Sequence, residues 1–126
     1  MTIRVRPESP VPIYEQIVSQ VIFAVAGGDV APGDLLPSVR DLAGQLVVNP
    51  NTVARAFQEL ERDGVVETRR GLGMAVSANA VKACTDRRRT IVRDRLKEAL
   101  REAAAAGLAP ADVCQMVQDD WPKTRK

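Results

Sequence analysis

Apolar positions along this chain change their spacing several times, and each change marks an element. Residues 13 to 26, IYEQIVSQVIFAVA, are apolar at 13, 14, 17, 18 and all of 21 to 26. A helix with so wide an apolar stripe needs more than one neighbour to cover it. GGD ends it and APGD supplies a Pro-Gly turn. Val39, Leu42, Ala43 and Leu46 then recur at helical spacing, which predicts a short helix over 39–46; Ser38, three residues before Asp41, has the spacing of a capping box. A third helix is predicted from Pro50 to Arg62. Asn49 suits its N-cap, and Pro50 suits its first position, where a missing N–H loses no bond.

Past the stop at Asp63-Gly64, VVET and MAVSA flank RRGLG, two short β-branched segments around a glycine-bearing turn, the pattern of a small hairpin. NAVKACTDRRRTIVRDRLKEALREAAAA follows as a long helix ending at Gly107. A last short helix has Pro110 near its start and Val113, Met116, Val117 and Trp121 at helical spacing. Ahead of everything, TIRVRPESPVP, with prolines at 7, 10 and 12, reads as an extended lead-in with room for one short strand. The expected fold class is mainly α with a small β-hairpin wing: a winged helix-turn-helix over 1–78, then a C-terminal α-helical dimerisation segment over 79–126.

Composition narrows this picture. The 126 residues are 45% hydrophobic and 27% charged, which is globular, but only 3% aromatic, so the core must be aliphatic. There is no histidine, and Cys84 and Cys114 lack the close spacing of zinc or redox motifs. Both read as reduced thiols packed as small apolar groups. With no clustered carboxylates and no Gly-rich phosphate loop either, no enzyme, metal or cofactor is expected. No apolar run approaches the roughly 20 residues that span a bilayer, and MTIRVRPESP lacks a signal-peptide core, so a cytoplasmic protein without membrane attachment is expected. Net charge is only +2, and residues 1–78 hold 7 basic against 9 acidic side chains. An affinity for DNA therefore has to rest on where individual arginines point.

The helix from Pro50 to Arg62 supplies such a placement. Val53, Ala56, Phe57 and Leu60 share one side, while Asn51, Arg55, Gln58 and Arg62 share the other, with Thr52 and Ala54 on its flanks. Arg pairs with guanine O6 and N7, and Asn and Gln pair with adenine N6 and N7, so Asn51, Thr52 and Arg55 are candidate base readers in a major groove. Ser38 and the first N–H groups of its helix, with Arg40 beside them, are candidates for a backbone phosphate. The hairpin tip offers Arg69 and Arg70 as cations and Gly71 as a point of close approach. Taken singly, an Asn-Pro start is a helix boundary, RRGLG an ordinary charged turn, and Arg62 a cation suited to a helix C-terminus. Their order and spacing point to DNA.

These residues resemble a known family. GDLLPSVRDLA, VNPNTVARAFQELERDG and RRGLG occur in the order found in the DNA-binding domain of the GntR family of bacterial transcription regulators, and the resemblance covers about residues 12 to 76. It carries over directly to Arg40 and Gly71. In the wider family the exposed helix begins Ser-Arg-Thr-Thr and bears a further arginine; here Pro50 and Ala54 stand at those two positions. Asn-Pro-Asn-Thr is the form of the YtrA and MocR subfamilies. The short remainder fits YtrA-like regulators, which by resemblance carry a two-helix dimerising tail and are typically repressors, often of their own operon with transporter genes.

On its own pattern, the long helix shows a seam at 81, 84, 88, 91/92, 95/96, 99 and 103 that would stay wet without a partner, which predicts a homodimer. The basic run DRRRTIVRDR is expected to spread around the helix, its arginines paired with Asp86, Asp94 and Glu98. The expected function is a sequence-specific, double-stranded-DNA-binding transcriptional regulator, a homodimeric repressor of its own operon on a palindromic operator. The competing reading is a winged-helix module that binds protein without reading DNA. No pattern names an effector.

Overall fold

The structure, a computed structural model, describes residues 1–123. The chain forms two compact units, Met1–Arg89 and a second beginning at Thr90. The first holds α1 (Ile13–Gly27), α2 (Val39–Leu46), α3 (Pro50–Arg62), an antiparallel hairpin of β1 (Val66–Arg69) and β2 (Gly73–Val76), and the first turns of α4 (Ala80–Ala105). The second holds the rest of α4 and α5 (Pro110–Asp120). Among the described residues no helix is long and apolar enough to cross a membrane.

Several helix ends have a local cause. Ser38 Oγ accepts the Asp41 N–H at 3.0 Å, and Asn49 Oδ1 accepts the Asn51 N–H at 2.8 Å, with Pro50 entering α3 where it was expected. α1 runs one residue past the expected Ala26. It closes at Gly28, whose φ of 84° lets the chain turn back so that the Asp29 N–H reaches the Ala24 carbonyl at 2.9 Å. The Asp112 carboxylate accepts the Ala109 N–H at 2.9 Å ahead of α5.

The wide stripe of α1 is used in full: Ile17, Val18, Val21, Ile22, Ala24 and Val25 are buried, and α1 packs on α3. α3 contributes Val53, Ala56, Phe57 and Leu60, α2 contributes Leu42 and Ala43, and the hairpin region contributes Val65, Val66, Ala75 and Val76. Burial of each larger aliphatic or Phe side chain contributes roughly 1.5–3 kcal/mol. Ala80 and Cys84, both fully buried, bring the start of α4 into the same unit. Arg87 then fastens α4 to the end of α3, its guanidinium 2.7 Å from Asp63 Oδ2. That bond replaces the pairing along α4 expected for Arg87; Arg101 does pair within α4, with Glu98.

Three local expectations are corrected. The hairpin arms are 66–69 and 73–76, with Val66 opposite Val76 and Arg69 opposite Gly73. Arg69 is therefore a strand residue, and the turn shrinks to 70–72. The lead-in forms no strand. Its backbone bonds go to two α1 side chains instead: Gln16 Oε1 accepts the Arg6 N–H at 2.8 Å, and Gln20 Oε1 accepts the Arg4 N–H at 2.9 Å. Cys114 is exposed, so only Cys84 is packed as a small apolar group. Burial also pushes the Cys84 thiol above its usual pKa, outweighing the nearby Arg87.

One pairing had no sequence signal. Leu35 bridges to Ala75, with the Gly33 N–H on the Val76 carbonyl and the Leu36 N–H on the Met74 carbonyl, each at 2.8 Å. The Pro-Gly turn just ahead of this segment hides its extended course.

Val47 ends α2 in the left-handed region, at φ 56° and ψ 52°, while its side chain is 88% exposed. A β-branched residue there costs about 1–2 kcal/mol, and so little of it is buried that packing returns almost nothing. Val47→Asn is expected to raise unfolding free energy by about 1 kcal/mol in urea denaturation, since Asn tolerates this backbone. Ser38→Ala is expected to lower it by about 1 kcal/mol, whereas Ser38→Asp, which keeps the cap, should stay within about 0.5 kcal/mol of the parent.

Candidate nucleic-acid interface

α3 buries one side and presents the other. Asn51, Arg55, Gln58, Glu61 and Arg62 are exposed, and Thr52, Ala54 and Glu59 are half-buried along its flanks. The outward stripe is therefore the amide and guanidinium face expected from the sequence. Thr52 on one flank and Ala54 on the other are small enough for close approach to a groove. Arg62, on the same side, lies 3.5 Å from Glu59 and 3.8 Å from Asp63, a cation placed at the helix C-terminus.

The neighbours of α3 carry the other candidates. α2 packs on α3 and exposes Ser38 and Arg40 at its start. β1 also packs on α3 and exposes Arg69, whose Nε is 4.0 Å from Glu67 Oε2. Arg70 and Gly71 form the exposed turn, where Gly71 takes a φ of 77° that other residues adopt only under strain. Thr68 Oγ1 donates to Glu61 Oε2 at 2.8 Å and so pins the hairpin to the flank of α3. All eight sequence-predicted residues, Ser38, Arg40, Asn51, Thr52, Arg55, Arg69, Arg70 and Gly71, are thus exposed or half-exposed on α3 or on elements packed against it or in the turn they carry. Leu72, 65% exposed, sits at the same turn.

Sequence reasoning missed the partner of Arg55. Its guanidinium carbon lies 3.8 Å from the centre of the Tyr14 ring, in the first turn of α1. The Tyr14 hydroxyl in turn donates to Glu15 Oε1 at 3.2 Å. Partial desolvation of the ring raises the phenol pKa, and the hydrogen bond and charge of Glu15 add to this, together outweighing the Arg55 cation. Positions 14 and 55 belong to different helices, so no periodicity links them; the clue available was an aromatic side chain in the first turn of α1.

Among the described residues no group of three or more His, Cys, Asp or Glu side chains is placed to hold a metal ion. The arrangement presents amides, guanidinium groups, hydroxyls and backbone N–H groups on α3 and on the elements packed against it. Such groups bind phosphate and base edges.

Comparison with known proteins agrees with this geometry. The profile of bacterial regulatory proteins of the gntR family matches residues 13–76. The HTH-type transcriptional repressor YtrA of Bacillus subtilis is 43% identical over 106 residues, spanning 84% of this chain and 82% of that protein. Among solved structures, a transcriptional regulator from Oenococcus oeni superposes with a TM-score of 0.70 at 29% identity, over 94% of this chain and 98% of that one. YtrA from Sulfolobus acidocaldarius, a GntR-family transcription factor, gives a TM-score of 0.60 at 34% identity, over 80% of this chain and 99% of that one. The chain belongs to the GntR family of bacterial regulatory proteins: it is a winged-helix DNA-binding transcriptional regulator of YtrA-like type, and not an enzyme.

Proposed function

We propose that the chain acts in the cytoplasm as a homodimeric repressor of its own operon, with residues 1–78 reading a palindromic operator and residues 79–126 forming the dimer. Asn51, Thr52 and Arg55 read base edges in the major groove, while Ser38, Arg40, Arg69, Arg70 and Gly71 hold the phosphate backbone or minor groove. The observation that carries this reading is the solvent face of α3, a stripe of amide and guanidinium groups flanked by a hairpin that Glu61 and Thr68 hold in place. The name of the Bacillus relative supports repression rather than activation.

The second unit supports the dimer. Val92, Leu96, Leu100, Met116, Val117 and Trp121 are all between 42% and 72% exposed, and no residue of α5 is buried. A single chain leaves these apolar side chains in water, and a second copy related by a two-fold axis covers them with like surface. Two copies of α3 then reach successive major grooves, which is why the operator is a palindrome.

Binding to a duplex from the promoter of the chain's own operon tests the reading. Neutralising about eight phosphates per dimer makes log K fall linearly with log salt, losing about 10³-fold or more between about 50 and 200 mM. A protein-binding module shows no such slope. Arg55→Ala is expected to cost about 1–3 kcal/mol per half-site and to relax the preference at one base pair; unchanged affinity and preference would remove Arg55 from the interface. Leu96→Asp should turn the dimer into monomers in sedimentation equilibrium and weaken operator binding, since it places a carboxylate in the seam without disturbing the first unit. A dimer that survives it is built on another surface.

A further inference from the structure

Arg55 is held by a helix other than its own. Its planar group lies over the Tyr14 ring of α1 at 3.8 Å, and among the described residues no hydrogen bond or ion pair involves it. Glu59, one turn along α3, is the acceptor that helix spacing offers, but with the cation N-terminal to the carboxylate this is the weaker of the two orders. Glu59 lies instead 3.5 Å from Arg62. The ring is itself steadied, its hydroxyl donating to Glu15.

This contact has a consequence for readout. Stacking engages the flat face of a guanidinium, and its N–H groups lie in the plane, pointing outward from the edge. Those are the groups that pair with guanine O6 and N7. An unsupported arginine surrenders much rotamer freedom on binding, whereas a stacked one has surrendered part of it already.

We infer that Tyr14 is a positioning residue for DNA readout: its ring holds the Arg55 guanidinium face-on, leaving the N–H edge free and oriented for one base pair. The inference rests on Arg55 being a base reader. Tyr14 then sets how sharply that base pair is discriminated, although it makes no base contact itself, and α1 becomes part of the specificity apparatus.

The test uses the full chain, a duplex selected by the parent protein from a random-sequence pool, and a scrambled duplex of equal length, with affinities from fluorescence anisotropy. Tyr14→Leu is expected to weaken the selected duplex about fivefold and the scrambled one by less than about twofold, with Tyr14→Phe within about twofold of the parent on both. The double variant Tyr14→Leu/Arg55→Ala should bind no more weakly than Arg55→Ala. Thermal melts accompany each protein, and Tyr14→Met replaces Tyr14→Leu if the latter melts below the assay temperature. The proposal is overturned if Tyr14→Phe loses as much as Tyr14→Leu, since the hydroxyl is then the active group. It is equally overturned if the Tyr14→Leu loss persists without Arg55, or if Tyr14→Leu binds like the parent while Arg55→Ala is weak. That last result leaves base reading by Arg55 standing; an Arg55→Ala protein that binds like the parent removes the base-reading assignment itself.

Discussion

Everything at the proposed DNA-facing surface depends on α3 being buried along one side only. Val53, Ala56, Phe57 and Leu60 are removed from water, and the free energy of that burial fixes the rotation of the helix about its axis. α1 makes this possible because it is apolar around most of its circumference and packs against α3 with part of that surface. Turned by one residue, α3 would bury Gln58 and Glu61, or Thr52 and Glu59, at the cost of stranding polar groups and a charge in an aliphatic core.

With the rotation fixed, smaller contacts restrain the ends and flanks. Asn49 and Pro50 set the N-terminus, Glu61 accepts Thr68 from the hairpin, and Asp63 takes the guanidinium of Arg87 at the C-terminus. Most of these groups are exposed, so each contributes little to stability. Their effect is positional. A groove-reading helix works through distances of a few tenths of an ångström, and several weak restraints on one element narrow its motion more than any single one.

Charge acts here by placement and not by excess. The first 78 residues are net acidic, and Glu15, Glu59, Glu61 and Glu67 all lie near proposed DNA contacts. Each carboxylate is engaged: Glu15 with Tyr14, Glu59 with Arg62, Glu61 with Thr68 and Glu67 with Arg69. A surface of this kind suppresses indiscriminate attraction to any polyanion, so binding depends on a matched arrangement of contacts.

By itself the sequence determined the element order, the ends of α2 and α3, and which face of α3 meets water. These follow from local rules: apolar spacing sets the buried side, and Ser38, Asn49 and Pro50 supply the backbone chemistry that helix starts require. The position of the candidate site was legible for the same reason, since a face exposed by periodicity is exposed in any packing that uses the opposite one. What only the tertiary structure decided are contacts between elements far apart in sequence. Tyr14 under Arg55, Arg87 on Asp63, Leu35 beside Ala75 and the lead-in held by Gln16 and Gln20 leave no periodic trace. The relative placement of helices in space selects which of several chemically suitable partners each side chain meets. Spacing along one helix could assign Arg55 to the outside; it took the packing of α1 on α3 to put an aromatic ring beneath it.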